Sequence, residues 1–155
     1  MTNQEKKSYL EQCRKLNDRI NQEIEQLYRL KSQALKITPS LSLMPKSPSS
    51  NHCLQSAAER IMLKEWEINY LTDFLIDLRR SLIDDIYASV TSHDLQLLLI
   101  QRYIYLRSWT ETAGKLGINR NTVRGKKNRQ ALSAIKITEK TQYIVLGLDR
   151  EHQMC

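Results

Sequence analysis

The side chains best suited to chemistry in this chain are the arginines, lysines and asparagines of residues 108–136. No Asp or Glu occurs between Glu111 and Glu139, whereas seven Lys or Arg side chains fall in that interval. They are Lys115, Arg120, Arg124, Lys126, Lys127, Arg129 and Lys136. A helix that packs on one face and is purely basic on the other suits a polyanion such as duplex DNA.

The spacing of residues in this segment predicts two short helices joined by a tight turn. Ser108 and Glu111 form an S-x-x-E capping box, so the first helix is expected to begin at Trp109. Gly117 suits a turn with positive φ, because glycine adopts that conformation without a steric penalty. Asn119 is a favourable N-cap for the second helix. The expected inward-facing residues are Ala113, Leu116, Ile118 and Val123.

The polar side chains of the two predicted helices fall into two groups, those expected to contact bases and those expected to contact phosphates. The first turns of the second helix would direct Arg120, Asn121 and Arg124 outward, toward the major groove. Arg can bond guanine O6 and N7, and Asn can bond adenine N6 and N7, so these three are the expected base-reading residues. The side chains better suited to phosphate contacts are Ser108, Thr110, Thr122, Lys126, Lys127 and Arg129.

The second helix interrupts the apolar repeat. A further inward anchor is expected three or four residues after Val123, but lysines occupy both positions. They are Lys126 and Lys127, and Gly125 precedes them. Gly in a helix interior costs about 1 kcal/mol relative to Ala, so a helix that is frayed or shifted by one residue is expected. The alternative interpretation is a structural helical hairpin with a solvated basic face.

The overall charge also favours an anionic partner. The 155-residue chain has a formal net charge of +7 and a pI near 9.4. Residues 1–37 carry eight basic and five acidic side chains, and residues 54–87 carry four and seven. Residues 93–137 carry nine and two. The positive excess therefore lies mainly where a DNA-binding surface would need it.

The first half of the chain predicts two long helices around a linker. Three prolines and several serines occur in residues 38–53, which is typical of a loop. Apolar residues at heptad spacing predict helices over about residues 3–37 and 52–89. The 16-residue loop would let these helices fold back antiparallel as a coiled-coil-like hairpin.

Two helices alone bury little surface, so we expect this hairpin to form a homo-oligomer, a dimeric four-helix bundle. The expected interface residues are Ile20, Leu27, Ile61, Ile68, Leu75 and Leu82. The alternative is a monomer whose apolar stripe covers the C-terminal module. The expected division is an oligomerisation region at 1–90, a helix-turn-helix module at 91–137 and a tail at 138–155.

The C-terminal module has a further predicted helix. Thr91 and Asp94 form a second capping box, so this helix is expected to start near Ser92. Trp109 is expected to anchor the core of the module rather than stack on a base. Residues 143–146 are rich in aromatic and β-branched side chains, which suits a strand, a final helical turn or a docking segment equally.

Residues 98–118, Leu-Leu-Ile-Gln-Arg-Tyr-(x)5-Trp-Thr-Glu-Thr-Ala-Gly-Lys-Leu-Gly-Ile, resemble region 4 of bacterial sigma factors. More closely, the chain to about residue 136 resembles small phage and prophage proteins of Gram-positive bacteria, related to the ArpU and RinA type of late-gene transcriptional regulators. Residues 37–41 resemble a phrase common at the end of their first helix.

This resemblance implies sequence-specific DNA binding and phage gene regulation. It marks Trp109 as the start of the first motif helix. It also implies that the recognition helix begins with Arg120, Asn121, Thr122 and Arg124. Residues 125–127 depart from the family's usual apolar anchor.

Signals for an enzyme, a metal site or a membrane span are not seen in the sequence. There is no Gly-rich phosphate loop or H-E-x-x-H motif, and the three histidines are far apart. The cysteines have no metal-ligand spacing and are expected to be free thiols, so no cofactor is expected. Apolar runs are too short to cross a bilayer and no signal peptide is visible, which predicts a cytoplasmic protein.

The sequence as a whole predicts an all-α DNA-binding transcriptional regulator of a phage, prophage or related mobile element. Two alternatives stay open. One is a phage small terminase subunit that forms a ring and recognises packaging sites. The other is a coiled-coil interaction protein that binds a host factor such as RNA polymerase and does not bind DNA.

Overall fold

The computed structural model describes the backbone of residues 1–43 and 48–154, and the side chains of residues 1–36 and 55–147. Within these residues the fold is all-helical and contains no strand, which confirms the all-α prediction. Two long helices come first, α1 (Asn3–Leu43) and α2 (Pro48–Ser89). The segments that follow are α3 (His93–Leu99), the π-helical turn π1 (Ile100–Ile104), α4 (Trp109–Leu116), α5 (Arg120–Thr122), the π-helical turn π2 (Val123–Lys127), α6 (Asn128–Ala134) and α7 (Glu139–Met154).

Both long helices extend into the segment that the prolines mark as a linker. α1 continues through Pro39 to Leu43, and α2 begins at Pro48. Proline is tolerated at the first position of a helix because its missing N–H would have no intrahelical partner there. The side chains of His52 and Cys53 lie outside the described residues.

The chain divides into two compact units. The core unit comprises Met1–Leu16 and Leu75–Cys155, and the two-helix unit comprises Asn17–Phe74. The boundaries fall within α1 and α2, whereas the sequence places the division at residue 90. Each long helix therefore contributes to both units.

Ion pairs connect the segments of α1 and α2 within the two-helix unit. The ion pairs between them are Arg19–Glu67, Lys64–Glu23 and Lys31–Glu65, with N···O distances of 3.5, 2.6 and 3.1 Å. Among the described residues of this unit, the buried apolar side chains are Ile20 and Leu71. The unit thus has little hydrophobic core of its own.

The core unit contains nearly all of the buried apolar side chains. Those that are fully enclosed include Leu10, Leu78, Leu82, Ile86, Leu98, Leu99, Ile104, Val123 and Ile135. They come from the two long helices as well as from α3, π1 and the segments that follow. Each such side chain contributes roughly 1.5–3 kcal/mol on burial, so this unit supplies most of the hydrophobic stabilisation.

A buried carboxylate determines where α7 begins. Asp85, which is 4% exposed, accepts hydrogen bonds from the hydroxyls of Thr138 and Thr141 at 2.8 and 2.6 Å. It also accepts the Thr138 N–H at 3.2 Å, and the Ser81 hydroxyl lies 2.6 Å from that of Thr141. A carboxylate is favourable at a helix N-terminus because the helix dipole is positive there. The tail that the sequence left open is therefore a helix with an anchored start.

Candidate nucleic-acid interface

α4 begins and ends as its sequence predicts. The Ser108 hydroxyl accepts the Glu111 N–H at 3.1 Å, and the Glu111 carboxylate accepts the Ser108 N–H at 3.3 Å. Gly117 follows the helix in the left-handed conformation with φ of 67°. Both the capping box and the glycine turn are confirmed, so α4 has a defined start and a sharp end.

The next helix starts at the predicted residue. Asn119 is its N-cap, and its side-chain oxygen accepts the Asn121 N–H at 2.8 Å. Val123 is completely buried, as expected for its inward anchor. Ile118, which is expected to face inward, is partly exposed.

The predicted capping box at Thr91 is wrong. α3 starts at His93 with Ser92 as its N-cap, and in the described part of the chain this cap makes no side-chain hydrogen bond. The predicted helix therefore exists, with its start about one residue from the expected position. Its cap is backbone geometry alone.

α5, π2 and α6 follow one another without a gap and form one composite helix over residues 120–134. The π turn π2 covers the segment in which the apolar repeat fails. The N–H of Asn128 bonds to the carbonyl of Val123, five residues earlier, as well as to that of Gly125. A π turn accommodates one more residue than an α turn. Such turns are rare overall, but those that occur are frequently found at functional sites.

The extra residue moves the inward anchor from the lysines to Asn128. Asn128 is 9% exposed, Lys126 is exposed and Lys127 is half-buried. Apolar packing then resumes at Ala131 and Leu132. The composite helix is therefore shifted by one residue at π2, which is one of the two outcomes that the sequence predicts.

Asn128 has a specific partner in the core unit. The Tyr103 hydroxyl of π1 donates a hydrogen bond of 2.8 Å to the side-chain oxygen of Asn128, and both residues are buried. Burial raises the pKa of Tyr103 to about 12, although the positive charge of the nearby Arg102 acts in the opposite direction. The phenol is therefore neutral and acts as a donor at physiological pH.

The expected base-reading residues lie on the outside of the composite helix. Arg120, Asn121 and Arg124 are all exposed. Among the described residues, none of these three side chains has a hydrogen-bond or ion-pair partner. They are placed together at the first turns of the helix and are free to contact a ligand.

The expected phosphate-contacting residues are mostly exposed as well. Lys127 is half-buried, and the exposed ones are Ser108, Thr110, Thr122, Lys126 and Arg129. The hydroxyl of Ser108 already accepts the capping bond from Glu111. Its backbone N–H is likewise used by the Glu111 carboxylate. The hydroxyl proton of Ser108 remains free to donate to a phosphate, whereas its backbone N–H does not.

Among the described residues, the cations of this region have no carboxylate partner. Each of the six salt bridges among the described residues joins side chains within residues 7–67. We call the following residues the unpaired cations: Lys115, Arg120, Arg124, Lys126, Lys127, Arg129 and Lys136. Their charge is not neutralised within the described chain, which favours binding of an anion.

A cluster that the sequence did not single out supports the start of α4. The guanidinium of Arg102 lies 4.5 Å from the ring centroid of Trp109 and donates to the Arg107 carbonyl at 2.9 Å. The ring of Tyr103 meets that of Trp109 edge-on, with centroids 6.5 Å apart. Trp109 is therefore a packing residue, as expected, and it is partly exposed.

Arg102 adds positive potential next to the composite helix. Burial lowers the pKa of Arg102 below its ordinary value, and the nearby positive charges of Arg14 and Arg124 lower it further. Arg102 therefore interacts electrostatically with Arg14 and with Arg124. The negative charge of Glu11 acts on Arg102 in the opposite direction, so the surroundings of Arg102 are not purely cationic.

The expected oligomer-interface residues fall into two groups. Ile20, Leu75 and Leu82 are buried within the single chain, so a second chain would find them covered. Leu27, Ile61 and Ile68 are half-buried. The large apolar side chains that α2 exposes in the two-helix unit are Met62, Leu63, Trp66 and Tyr70. The heptad pattern identifies the packed face of each helix but not what packs on it.

No described helix combines the length and apolar character that a bilayer span requires. Likewise, no three His, Cys, Asp or Glu side chains lie together as a metal site in the described part of the chain. Comparison of the chain with protein-family models, curated proteins and solved structures finds no match to any of them.

Proposed function

We propose that this chain is a sequence-specific DNA-binding transcriptional regulator of a phage, prophage or related mobile element. The observation that carries the proposal is the set of unpaired cations on and around a capped helix whose outer face has no acidic side chain. A duplex carries one negative charge per roughly 1.7 Å of its axis, so it is the natural counterpart of such a helix.

In this proposal α4, the Gly117 turn and the composite helix form a sigma-like helix-turn-helix. The composite helix enters the major groove, and Arg120, Asn121 and Arg124 read base edges. Lys126, Lys127 and Arg129, with Thr110 and Thr122, hold the phosphate backbone. The capped start of α4 and the turn at Gly117 support this assignment, because they orient the two helices rigidly.

The proposed regulator acts as a homodimer in the cytoplasm. A two-fold protein reads two half-sites one or more helical turns apart. Two of the ion pairs in the two-helix unit, Arg19–Glu67 and Lys64–Glu23, join an earlier residue of α2 to a later residue of α1, which supports an antiparallel hairpin. The sparse core of that unit supports pairing with a second chain. RNA polymerase is a further partner in this proposal.

The test of the proposed function is selection of bound fragments from a bacterial or phage genome by the purified full chain, followed by sequencing. We expect a defined sequence motif to be enriched and to bind tighter than random duplex of the same length. Enrichment of fragments without a shared motif would remove sequence-specific regulation from the proposal. Absence of duplex binding would remove DNA altogether.

The oligomer test uses two substitutions in α2. Trp66→Ser removes an exposed side chain, and we expect it to lower the mass in light scattering if the outer face of α2 is the interface. Leu75→Asp places a charge at a site that is 5% exposed, so it should unfold the core unit rather than dissociate an intact dimer. A monomeric mass for the unmodified chain would contradict the dimer, and a ring-sized mass would favour a small terminase subunit.

A second candidate function rests on a different observation. α2 exposes Met62, Leu63, Trp66 and Tyr70, with the rings of Trp66 and Tyr70 stacked 6.1 Å apart. Exposed apolar clusters of this kind mark protein-interaction sites. An interaction protein without DNA binding would capture its partner independently of salt and would not retard any duplex in a gel.

A further inference from the structure

Two π turns of the core unit are joined by one buried hydrogen bond. π1 ends at Ile104 and contains Tyr103, and π2 ends at Lys127, directly before Asn128. The Tyr103 hydroxyl and the Asn128 side-chain oxygen are 2.8 Å apart. Tyr103 is 4% exposed and Asn128 is 9% exposed. Each partner therefore lies within, or next to, the irregular part of its own helix.

The irregularity of π2 has a physical reason. A regular α-helix would place the residue three or four positions after Val123 on the packed face, and both of those residues are lysines. Burying an unpaired ammonium is unfavourable, because it must be desolvated without a counter-charge. The five-residue turn brings Asn128 to the packed face instead and leaves Lys126 exposed.

Asn128 specifies this arrangement more narrowly than an apolar residue would. A leucine tolerates small rotations of its helix, but a hydrogen bond requires a short distance and a restricted angle. A buried donor or acceptor that loses its partner also destabilises the folded state, because no water replaces the lost hydrogen bond. The arrangement in which Tyr103 and Asn128 meet is therefore favoured over neighbouring rotations of the helix.

We propose that the Tyr103–Asn128 hydrogen bond sets the rotational register of the composite helix, so that Arg120, Asn121 and Arg124 face the bases together. Tyr103 and Asn128 are positioning residues in this proposal and do not contact DNA. The proposal rests on the proposed function for its consequence in DNA reading. The register itself is a property of the free protein.

A second contact holds Tyr103 in place for this role. Its ring packs edge-on against Trp109, the first residue of α4, and Arg102 covers Trp109 at 4.5 Å. The same tyrosine thus contacts the start of α4 through its ring and the composite helix through its hydroxyl. A change at Tyr103 would alter the angle between the two helices as well as the register of the second one.

The experiment compares Tyr103→Phe with Tyr105→Phe in the full chain. Tyr105 is 55% exposed, and its hydroxyl has no partner among the described residues, so its loss is the matched control. The first readout is the set of backbone amide resonances of residues 120–130 without DNA. The second is the ratio of affinities for the selected target and for random duplex.

We expect Tyr103→Phe to shift the amide resonances on both sides of π2 and to lower the affinity ratio at least about tenfold. Affinity for random duplex should change less than about threefold, because every cation remains. Tyr105→Phe should leave both readouts unchanged. If Tyr103→Phe does not fold, Asn128→Ser takes its place, since the shorter side chain cannot reach the phenol.

The outcomes separate this proposal from the proposed function. Unchanged amide resonances together with an unchanged affinity ratio would overturn the register proposal and leave DNA reading intact. If the unmodified chain prefers no sequence, specific DNA reading fails, and the amide resonances alone decide whether the bond sets the register. A variant that merely lowers the thermal midpoint, with native resonances, would assign the pair a structural role and overturn the proposal.

Discussion

The two units of this chain use basic side chains in opposite ways. In the two-helix unit, Lys64 lies 2.6 Å from Glu23, and this hydrogen bond is the main reason that the pKa of Lys64 is raised. Arg19 and Lys31 have carboxylate partners on α2 as well. In the C-terminal part of the core unit, the unpaired cations have none among the described residues.

This contrast separates cations that stabilise the fold from cations that are available to a ligand. A solvent-exposed ion pair contributes about 0–1 kcal/mol, so pairing gives a modest gain wherever a carboxylate is near. A cluster without carboxylates instead destabilises the folded chain through self-repulsion. The difference therefore points to an external anion as the counter-charge for the core unit.

The largest expected effect comes from removing unpaired cations. The triple substitution Lys126→Gln, Lys127→Gln and Arg129→Gln should weaken binding to any duplex roughly 10²–10³-fold, because about three counterion-releasing contacts are lost. The affinity would be measured by fluorescence anisotropy, with the thermal midpoint as a check on folding.

The matched control removes paired cations from the two-helix unit. The triple substitution Arg19→Gln, Arg29→Gln and Lys31→Gln eliminates three cations, which bond Glu67, Glu25 and Glu65. DNA affinity should change less than about threefold. Equal losses in the two sets would show that net charge, rather than its placement, determines binding.

The next effect in size is a loss of stability at high pH. Burial raises the pKa values of Cys13 and Tyr103 to about 12, so in the folded state both groups stay protonated until the pH approaches 12. The unfolded chain releases those protons at lower pH, so the free energy of unfolding falls as pH rises toward 12. Tyr103 accounts for about 2–3 kcal/mol of this fall.

Denaturant titrations at a series of alkaline pH values measure the loss. Tyr103→Phe should remove the Tyr103 contribution to the fall, which develops between about pH 10 and 12, where the phenol of the unfolded chain ionises. The Cys13 contribution should remain. Tyr105→Phe should retain the whole fall. An identical pH dependence in Tyr103→Phe and the unmodified chain would show that Tyr103 titrates normally in the folded state.

A smaller effect distinguishes base contacts from phosphate contacts among the unpaired cations. Arg120→Ala or Arg124→Ala should weaken binding to the selected sequence by about 1–3 kcal/mol, while binding to random duplex stays similar. Competition binding with the two duplexes measures the difference. An equal loss on every sequence would reassign the arginine to the phosphate backbone.

The smallest effect belongs to the two-helix unit. Glu23→Gln removes the carboxylate that bonds Lys64, and both side chains are mostly covered. We expect the free energy of unfolding to fall by about 1 kcal/mol, which is the upper range for surface pairs. Duplex affinity should not change. A large loss of duplex affinity in this variant would break the separation between the two kinds of cation.

The parts of the fold that could be predicted from sequence depend on short-range contacts. The Ser108–Glu111 capping box, the glycine turn and the Asn119 cap each involve residues no more than three positions apart. The interruption after Val123 was visible for the same reason. The π turn that places Asn128 against Tyr103 could not be predicted, because Tyr103 lies 25 positions before Asn128 and no local pattern pairs the two residues.

The heptad pattern had a similar limit. It predicts that Leu75 and Leu82 are packed, and both are, but a stripe does not reveal whether the same chain or a second one covers it. The junction of Asp85 with Thr138 joins residues 53 positions apart and left no local signal. The ends of α1 and α2 were missed because proline frequency favours a loop over residues 38–53.

The most direct test of the account is the salt dependence of duplex binding by the unmodified chain. If the unpaired cations contact phosphates, the logarithm of the affinity should fall linearly with the logarithm of salt concentration, with a slope of roughly −4 to −6 for five to seven contacts. A slope near zero, or no binding at about 50 mM salt, would contradict the claim that the unpaired cations bind the phosphates of a nucleic acid.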